Sequence, residues 1–245
     1  MIMEKRMGVA RVINKAGHSS RSQAEKLVRS GVVSVNGRPT LDPEFPTCIA
    51  DQILIDGQAL LTQELVYLML NKPRGLVTSA SDEQGRATIF TCLEGKNFPH
   101  VGPVGRLDKA SEGLLLLTND TVWANKILDP ANSIEKIYHV QVGGTPDYSQ
   151  LEQMEKGVFD EGQFLHAKRA SLLRQGEKNS WLEVTLTEGK KREIRRILMH
   201  FGFETLRLIR ISLGPLRLGD LPKGAVRNLT PSEIDLLSFR KTPCI

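Results

Sequence analysis

VGPVGRLDKASEGLLLLTND, residues 101–120, is the stretch on which the reading of this chain turns. A loop containing Gly102-Pro103 presents Arg106 and Asp108, two opposite charges flanking Leu107, and runs into the apolar strand GLLLLT (113–118). A guanidinium beside a carboxylate favours the ionised, nucleophilic form, and such a pair at the end of a buried strand marks a candidate cleft. The tripeptide Arg106-Leu107-Asp108 alone reads equally well as a surface turn with a local ion pair. Its meaning therefore rests on what surrounds it.

Working outward, the chain alternates strand and helix signals from about Leu65 onward. Runs rich in β-branched and aliphatic residues predict strands over 67–71, 75–79, 113–118, 137–142, 167–173, 180–187 and 204–213. Helices are expected over 88–93, 121–128, 148–156, 190–201 and 231–238, with Asp120, Asp147 and Thr230 as N-caps for three of them. Hairpin-like runs mixed with crossovers argue for an α+β fold with a mixed, largely antiparallel sheet flanked by helices. Upstream, Val9–Lys15 reads as a short helix closed by Gly17. Ser20 with Gln23 forms a capping box for a second helix, stopped by Gly31. VVSV, the turn Asn36-Gly37 and ILID with Gly57 follow, punctuated by Pro39, Pro43 and Pro46. The boundaries drawn are 1–63 for a small N-terminal domain and 64–245 for a larger one.

Composition narrows the function. The 245 residues are 40% hydrophobic and 25% charged, an ordinary globular profile. No run approaches the roughly 18 apolar residues of a membrane span, and the N-terminus lacks the apolar core of a secretion signal, so the cytoplasm is expected. Cys48, Cys92 and Cys244 are scattered, and the five histidines form no ligand spacing, so no metal is assigned. The net charge is +5, unevenly placed. Residues 1–40 hold eight Lys/Arg against two acidic residues, and residues 187–217 hold eight against three. Two basic blocks are what phosphate contacts require, although solvated helix faces produce the same pattern.

Several segments, taken in order, resemble one family. GRLDKASEGLLLLTND is similar to the signature of the ribosomal RNA pseudouridine synthases of the RsuA-like branch. LNKPRGLVTS (70–79), EKIYHVQV (135–142) and EGKKREIRRILMHFG with LRLIRISLGPLRLGDLPKG (188–224) resemble its other motifs. KAGHSSRSQAEKLVRSGVVSVNGRP (15–39) resembles the S4-like RNA-binding fold that precedes the catalytic domain in many members. Departures occur at Lys191 and Glu193, where the family usually has Asn and Gln, at Thr121, where Gly is commoner, and at the start of the N-terminal block.

The resemblance implies isomerisation of a uridine in ribosomal RNA, with the large subunit slightly favoured. It implies no cofactor, since the glycosidic bond is cut and remade without oxidation, water or phosphate. Asp108 takes the place of the family's catalytic aspartate. Tyr138 takes that of the tyrosine that stacks on the base, and Arg195 that of the basic partner of the aspartate. Arg195 adjoins the apolar stripe Ile194, Ile197, Leu198 and Phe201, which Arg196 also borders, so either could turn inward. Tyr138 alternates onto a face with Val140 and Val142, a pattern equally typical of plain core. Arg106 is implied to contact RNA where the target base leaves its stack. Arg21, Lys26, Arg29 and Arg38 of the N-terminal block, with Lys190 and Arg192, are expected to grip the RNA backbone. Lys109 and Glu112 read as turn residues. The expected partner is ribosomal RNA, bound by a monomer. Two rivals remain: an RNA-binding assembly factor without chemistry, and a glycoside hydrolase using Asp108 with Glu112 across a sugar-sized gap. A nucleotide-hydrolysing protein is disfavoured by the lack of a GxxxxGK[ST] loop.

Overall fold

The computed structural model describes residues 6–79 and 85–238, so Cys244 lies outside the described residues. Contacts divide the chain into two units, one running up to Tyr67 with Gly95–Gly102 and Leu117–Val122 added, the other holding the rest.

The first unit contains, in chain order, β1 (Met7–Gly8), α1 (Val9–Lys15), α2 (Arg21–Arg29), β2 (Val33–Val35), β3 (Arg38–Pro39), β4 (Pro46–Thr47), β5 (Ile53–Ile55) and β6 (Gln58–Ala59). The Ser20 hydroxyl accepts from Gln23 N while the Gln23 side chain accepts from Ser20 N, the reciprocal cap that the sequence predicts. Asn36 and Gly37 adopt φ of 51° and 76°, the left-handed pair that turns β2 into β3. Val9, Ala10, Val12 and Ile13 of α1 and Ala24 and Val28 of α2 bury against Val33, Val35, Ile53 and Ile55 of the four-stranded sheet β3-β2-β5-β6. Each larger aliphatic gains about 1.5–3 kcal/mol from burial, which offsets the ordering of so small a sheet.

The second unit is built on a nine-stranded sheet. Its elements are β7 (Tyr67–Lys72), β8 (Gly102–Val104), β9 (Glu112–Thr118), α3 (Thr121–Leu128), β10 (Lys136–Gly143), α4 (Tyr148–Lys156), β11 (Val158–Asp160), β12 (Gln163–Leu165), β13 (Arg169–Gln175), β14 (Asn179–Leu186), α5 (Glu193–His200), β15 (Thr205–Leu213), β16 (Leu216–Arg217), β17 (Val226–Asn228) and α6 (Pro231–Leu237). The spatial order is β13-β14-β10-β15-β9-β7-β17, with β16 added to β15 and β8 to β9. β10 pairs antiparallel with β14 and β15, and β15 runs parallel to β9. This is the α+β architecture expected. Along β10, Tyr138, Val140 and Val142 are buried on one face, opposite Val184 and Leu182 of β14 and Arg210 and Leu208 of β15. Among the described residues, no helix is long and apolar enough to cross a membrane.

Three local expectations are corrected. GLVTS (75–79) is not a strand: Gly75 takes φ +99°, and among the described residues only a lone bridge joins Val77 to Thr88. Its polar groups are diverted to the loop beside it, with Thr78 Oγ1 donating to Leu107 O at 2.7 Å. The helix expected from 190 begins at Glu193, because Arg192 sits at φ 54°, a left-handed conformation that α-helix cannot contain. Glu112 is no turn residue but the buried first residue of β9.

Gly113 decides how closely β9 and β15 approach. Its φ is +101°, and a Cβ there would lie 2.2 Å from Arg210 O. Gly113→Ala therefore combines a disfavoured backbone with a clash against main chain that cannot swing aside. We expect a loss of about 3 kcal/mol, read as a lower urea midpoint at unchanged slope; an unchanged midpoint would show that the strands tolerate the methyl.

Candidate active site

The loop from Gly105 to Ser111 is fixed almost entirely through its carbonyl oxygens. Leu107 O accepts from Thr78 Oγ1 and Lys109 O from Gly75 N, each at 2.7 Å. Asp108 O accepts from Ser111 N at 2.9 Å and Lys72 Nζ at 3.3 Å, while Ser111 O accepts from Lys72 Nζ at 2.9 Å. Ala110 O accepts from Arg195 Nη2 at 3.2 Å. Five successive carbonyls are thus engaged, and Leu107 is the apolar anchor that buries between the two charged residues. The half-buried Asp108 carboxylate makes no hydrogen bond or ion pair among the described residues. A backbone held this firmly beneath an uncommitted carboxylate has the preorganisation that a nucleophile or base requires.

Lys72, the last residue of β7, is 0% exposed, and its ammonium also donates to Pro73 O at 3.1 Å. Burial pushes its pKa down to about 8, against the pull of the Glu112 and Asp108 carboxylates. Arg195 of α5 supplies the second cation. It donates to Ala110 O and Thr205 O, burial lowers its pKa, and Asp108 acts on it in the opposite direction. Arg196 is spent elsewhere, bonding Asp160 and, at 2.8 Å, Gln163 of the β11–β12 hairpin. The inward choice between the two arginines thus falls on Arg195. Arg106 is exposed and makes no ion pair with Asp108 among the described residues, so the field on Asp108 comes from Lys72 and Arg195 rather than from its near neighbour.

Asp108 opens onto a cavity of about 780 Å³ that Arg106, Tyr138, Lys190 and Arg192 also line. Tyr138 contributes from the sheet face, 8% exposed, with Arg210 directly across the β10–β15 ladder. Lys190 is tied to Glu188 and to Phe164 O; Arg192 is exposed at the helix start. Arg195 is reached through the loop rather than through the cavity wall. Two wall residues are buried where nothing in the sequence indicated it. Arg210, 4% exposed, donates Nε to Leu114 O at 2.7 Å and leaves Nη2 without a partner. Glu193, 3% exposed, has its carboxyl pKa raised by burial, with Oε1 unpaired. An alternating strand and an amphipathic helix put each in plausible solvent positions, so the sequence carried no signal for their burial.

Glu112, the strand residue that follows the loop, lacks the freedom of Asp108. Burial works to raise its pKa, yet hydrogen bonds from Arg207 (3.0 Å) and Lys223 (2.7 Å) hold it below the usual carboxylate range. It is an internal counter-ion, not a second free acid. In the N-terminal unit, Lys26, Arg29 and Arg38 are exposed, whereas Arg21 is ion-paired with Glu25 and Glu44.

Comparison with known proteins identifies the two domains and the family. Residues 7–53 match the S4 domain. The chain is 37% identical over 230 residues to the ribosomal large subunit pseudouridine synthase B of Bacillus subtilis (strain 168), covering 93% of each. It is 39% identical over 223 residues to an uncharacterised RNA pseudouridine synthase of Rickettsia prowazekii (strain Madrid E), covering 91% of this chain and 94% of that one. A crystal structure of a pseudouridylate synthase superposes with a TM-score of 0.67 at 29% identity, covering 94% of this chain and 99% of the other. Residues 66–200 match the RNA pseudouridylate synthase profile, more than half of the sequence, and the chain belongs to that family of isomerases.

Proposed function

We propose that the protein converts a uridine of large-subunit ribosomal RNA to pseudouridine, as a cytoplasmic monomer, with Asp108 as nucleophile. The observation that carries the reading is the unpaired Asp108 carboxylate, on a loop tied down at five carbonyls, opening onto the cavity that Tyr138 lines. The similarity to a synthase named for the large subunit supports the choice of substrate.

The reaction breaks N1–C1′, turns the uracil and forms C5–C1′; C5 loses a proton and N1 gains one, so atoms and electrons balance. A flipped uridine enters the cavity, at an unstacking cost of a few kcal/mol that contacts from Arg106 help to offset. Asp108 forms a transient covalent bond to the nucleoside that keeps the base from escaping, and that bond breaks again as the C5–C1′ product is completed, returning the free carboxylate. Arg195 and Lys72 hold the loop that carries that carboxylate in place, and Tyr138 stacks on the base and relays the C5 proton. Lys190 and Arg192 at the cavity, with Arg21, Lys26, Arg29 and Arg38 of the S4 domain, hold the RNA backbone.

Asp108→Asn should abolish pseudouridine in the RNA, by chemical mapping, while RNA affinity persists; substantial product from this variant rules the assignment out. The alkaline limb tests Lys72. Its folded pKa of about 8 lies below the ordinary 10.5, so the ammonium is lost as pH rises through 8. We expect kcat/KM to decline above about pH 8 and Lys72→Met to be slow without that decline; a native profile flat to about pH 9 contradicts the role. Replacing Arg29 and Arg38 together by Ala should weaken RNA binding and flatten its log–log salt slope by roughly 0.9 for each phosphate no longer neutralised. Identical slopes would remove these residues from the RNA interface.

A further inference from the structure

Strand alternation puts Val158, Asp160, Gln163 and Leu165 on one face of the β11–β12 hairpin and Phe159 with Phe164 on the other. The first face is the inner one. Val158 and Leu165 are buried, and Asp160 and Gln163 hold the Arg196 guanidinium of α5. The rings are left outside, Phe159 at 73% and Phe164 at 42% exposure. Among the described residues they are the only exposed phenylalanines; Phe45, Phe90, Phe98, Phe201 and Phe203 are at least partly buried. A polar pair turned inward and an aromatic pair turned outward is the reverse of what folding alone selects.

The pair is also held ready. Phe159 and Phe164 face each other across the two strands, ring centroids 5.3 Å apart and tilted by 57°. Phe164 in turn stacks on His166 at 5.7 Å. It lies so close over Gly157 that a Cβ there would be 2.3 Å from its Cζ. Phe164 is thus a fixed post, and Phe159 leans on it with most of its surface in water. Cross-strand packing accounts for the contact between the rings but not for the exposure. Position supplies the rest: Lys190, which lines the Asp108 cavity, donates its Nζ to Phe164 O at 2.8 Å. The aromatic pair therefore adjoins the cavity rim through one side chain. Two rings fall far short of the roughly 1,000 Å² that a specific protein–protein interface buries, but they suit the flat face of one nucleobase. The turn acids are partly neutralised from below, since Asp160 pairs with Arg196 and Glu161 lies 3.7 Å from the same guanidinium.

We propose that Phe159, backed by Phe164, stacks on an unpaired nucleobase of the substrate RNA, one flanking the target uridine where the strand leaves the cavity past Lys190. The inference deepens the RNA-modifying reading and rests on it for the identity of the strand. Stacking suits this place. Flipping the uridine leaves its neighbours without a partner on one side, and an aromatic face replaces what is lost. Every base has a π-face, so the contact steadies the strand without reading its sequence. It is also uncharged, which separates it from the phosphate contacts assigned to Lys190, Arg192 and the S4 domain.

The test measures affinity for an in vitro transcript of bacterial large-subunit ribosomal RNA across a salt series. F159A should bind about ten-fold more weakly at every salt concentration, with the log–log slope of the native chain, because stacking releases no counterions. F159L, which keeps apolar volume without a ring, should be as weak as F159A, and F159W should bind at least as tightly as the native chain. Native affinity in F159A, native affinity in F159L, or a slope shallower by roughly 0.9 overturns the proposal; the first of these is the outcome that a protein-docking role would give. A second measurement uses emission: the indole added by F159W, read as the difference from the native chain with its two tryptophans, should be quenched by the transcript, and unquenched emission overturns the proposal as well. Product formed by a chain whose F159A affinity is unchanged sinks this inference alone. Ring-dependent affinity in a chain that forms no pseudouridine sinks the catalytic reading alone.

Discussion

Burying an ammonium is expensive, and the fold does so at Lys72 in order to hold the Asp108 loop by its carbonyl oxygens. Three carbonyl acceptors, Pro73, Asp108 and Ser111, satisfy all three donors of the Nζ without neutralising its charge. Desolvation is left partly uncompensated, which is why the pKa falls instead of rising. A carboxylate partner would have stabilised Lys72 better, but it would have put a second anion beside Asp108 and tied the loop by a flexible side chain. Carbonyls fix the backbone instead, and the Asp108 carboxylate inherits a position it did not itself have to secure.

Two carboxylates four residues apart show how environment divides roles. Asp108 is uncommitted and faces a cavity, whereas Glu112 is sealed and doubly paired with Arg207 and Lys223. The same logic removes the glycoside hydrolase reading. That chemistry requires two acids free to exchange protons with substrate across a sugar-sized gap, and Glu112 exchanges nothing while two cations grip it. Arg207 is further restrained by lying over the Trp181 ring at 5.7 Å, so the Glu112 clamp is anchored from both ends.

Much of this was legible in the residues. The reciprocal caps at Ser20–Gln23, at Asp147–Gln150 and at Thr230–Glu233, and the period-two pattern of β10, express local rules that tertiary structure did not override. Asp108, Tyr138 and Arg195 were expected together from an ordered set of motifs, and the fold puts Asp108 and Tyr138 on one cavity with Arg195 bonded to the Asp108 loop. What stayed hidden depends on distant partners. Lys72 reads as a solvated lysine until β7 is placed beside β9, and Arg210 reads as one more basic residue of a strand. GLVTS has strand-forming residues, but Thr78 finds Leu107 across 29 positions and bends the segment into a loop. The β11–β12 hairpin escaped notice because its turn depends on Glu161 at φ 46° followed by Gly162, with little apolar alternation on either side.

β7 gains its outer neighbour from far down the chain. Leu70 pairs with Val226, Asn71 Nδ2 donates to Leu221 O at 2.7 Å, and Gly224 N donates to Asn71 O at 2.8 Å. Until β17 arrives, the strand that ends in Lys72 is an open edge, able to pair wrongly. During vectorial synthesis, residues 221–228 leave the ribosome well after the Asp108 loop has emerged. The sheet edge that ends in Lys72 is therefore among the last parts of the molecule to be paired, and the anchor of the Asp108 loop gains its outer support only once the C-terminal region has been made.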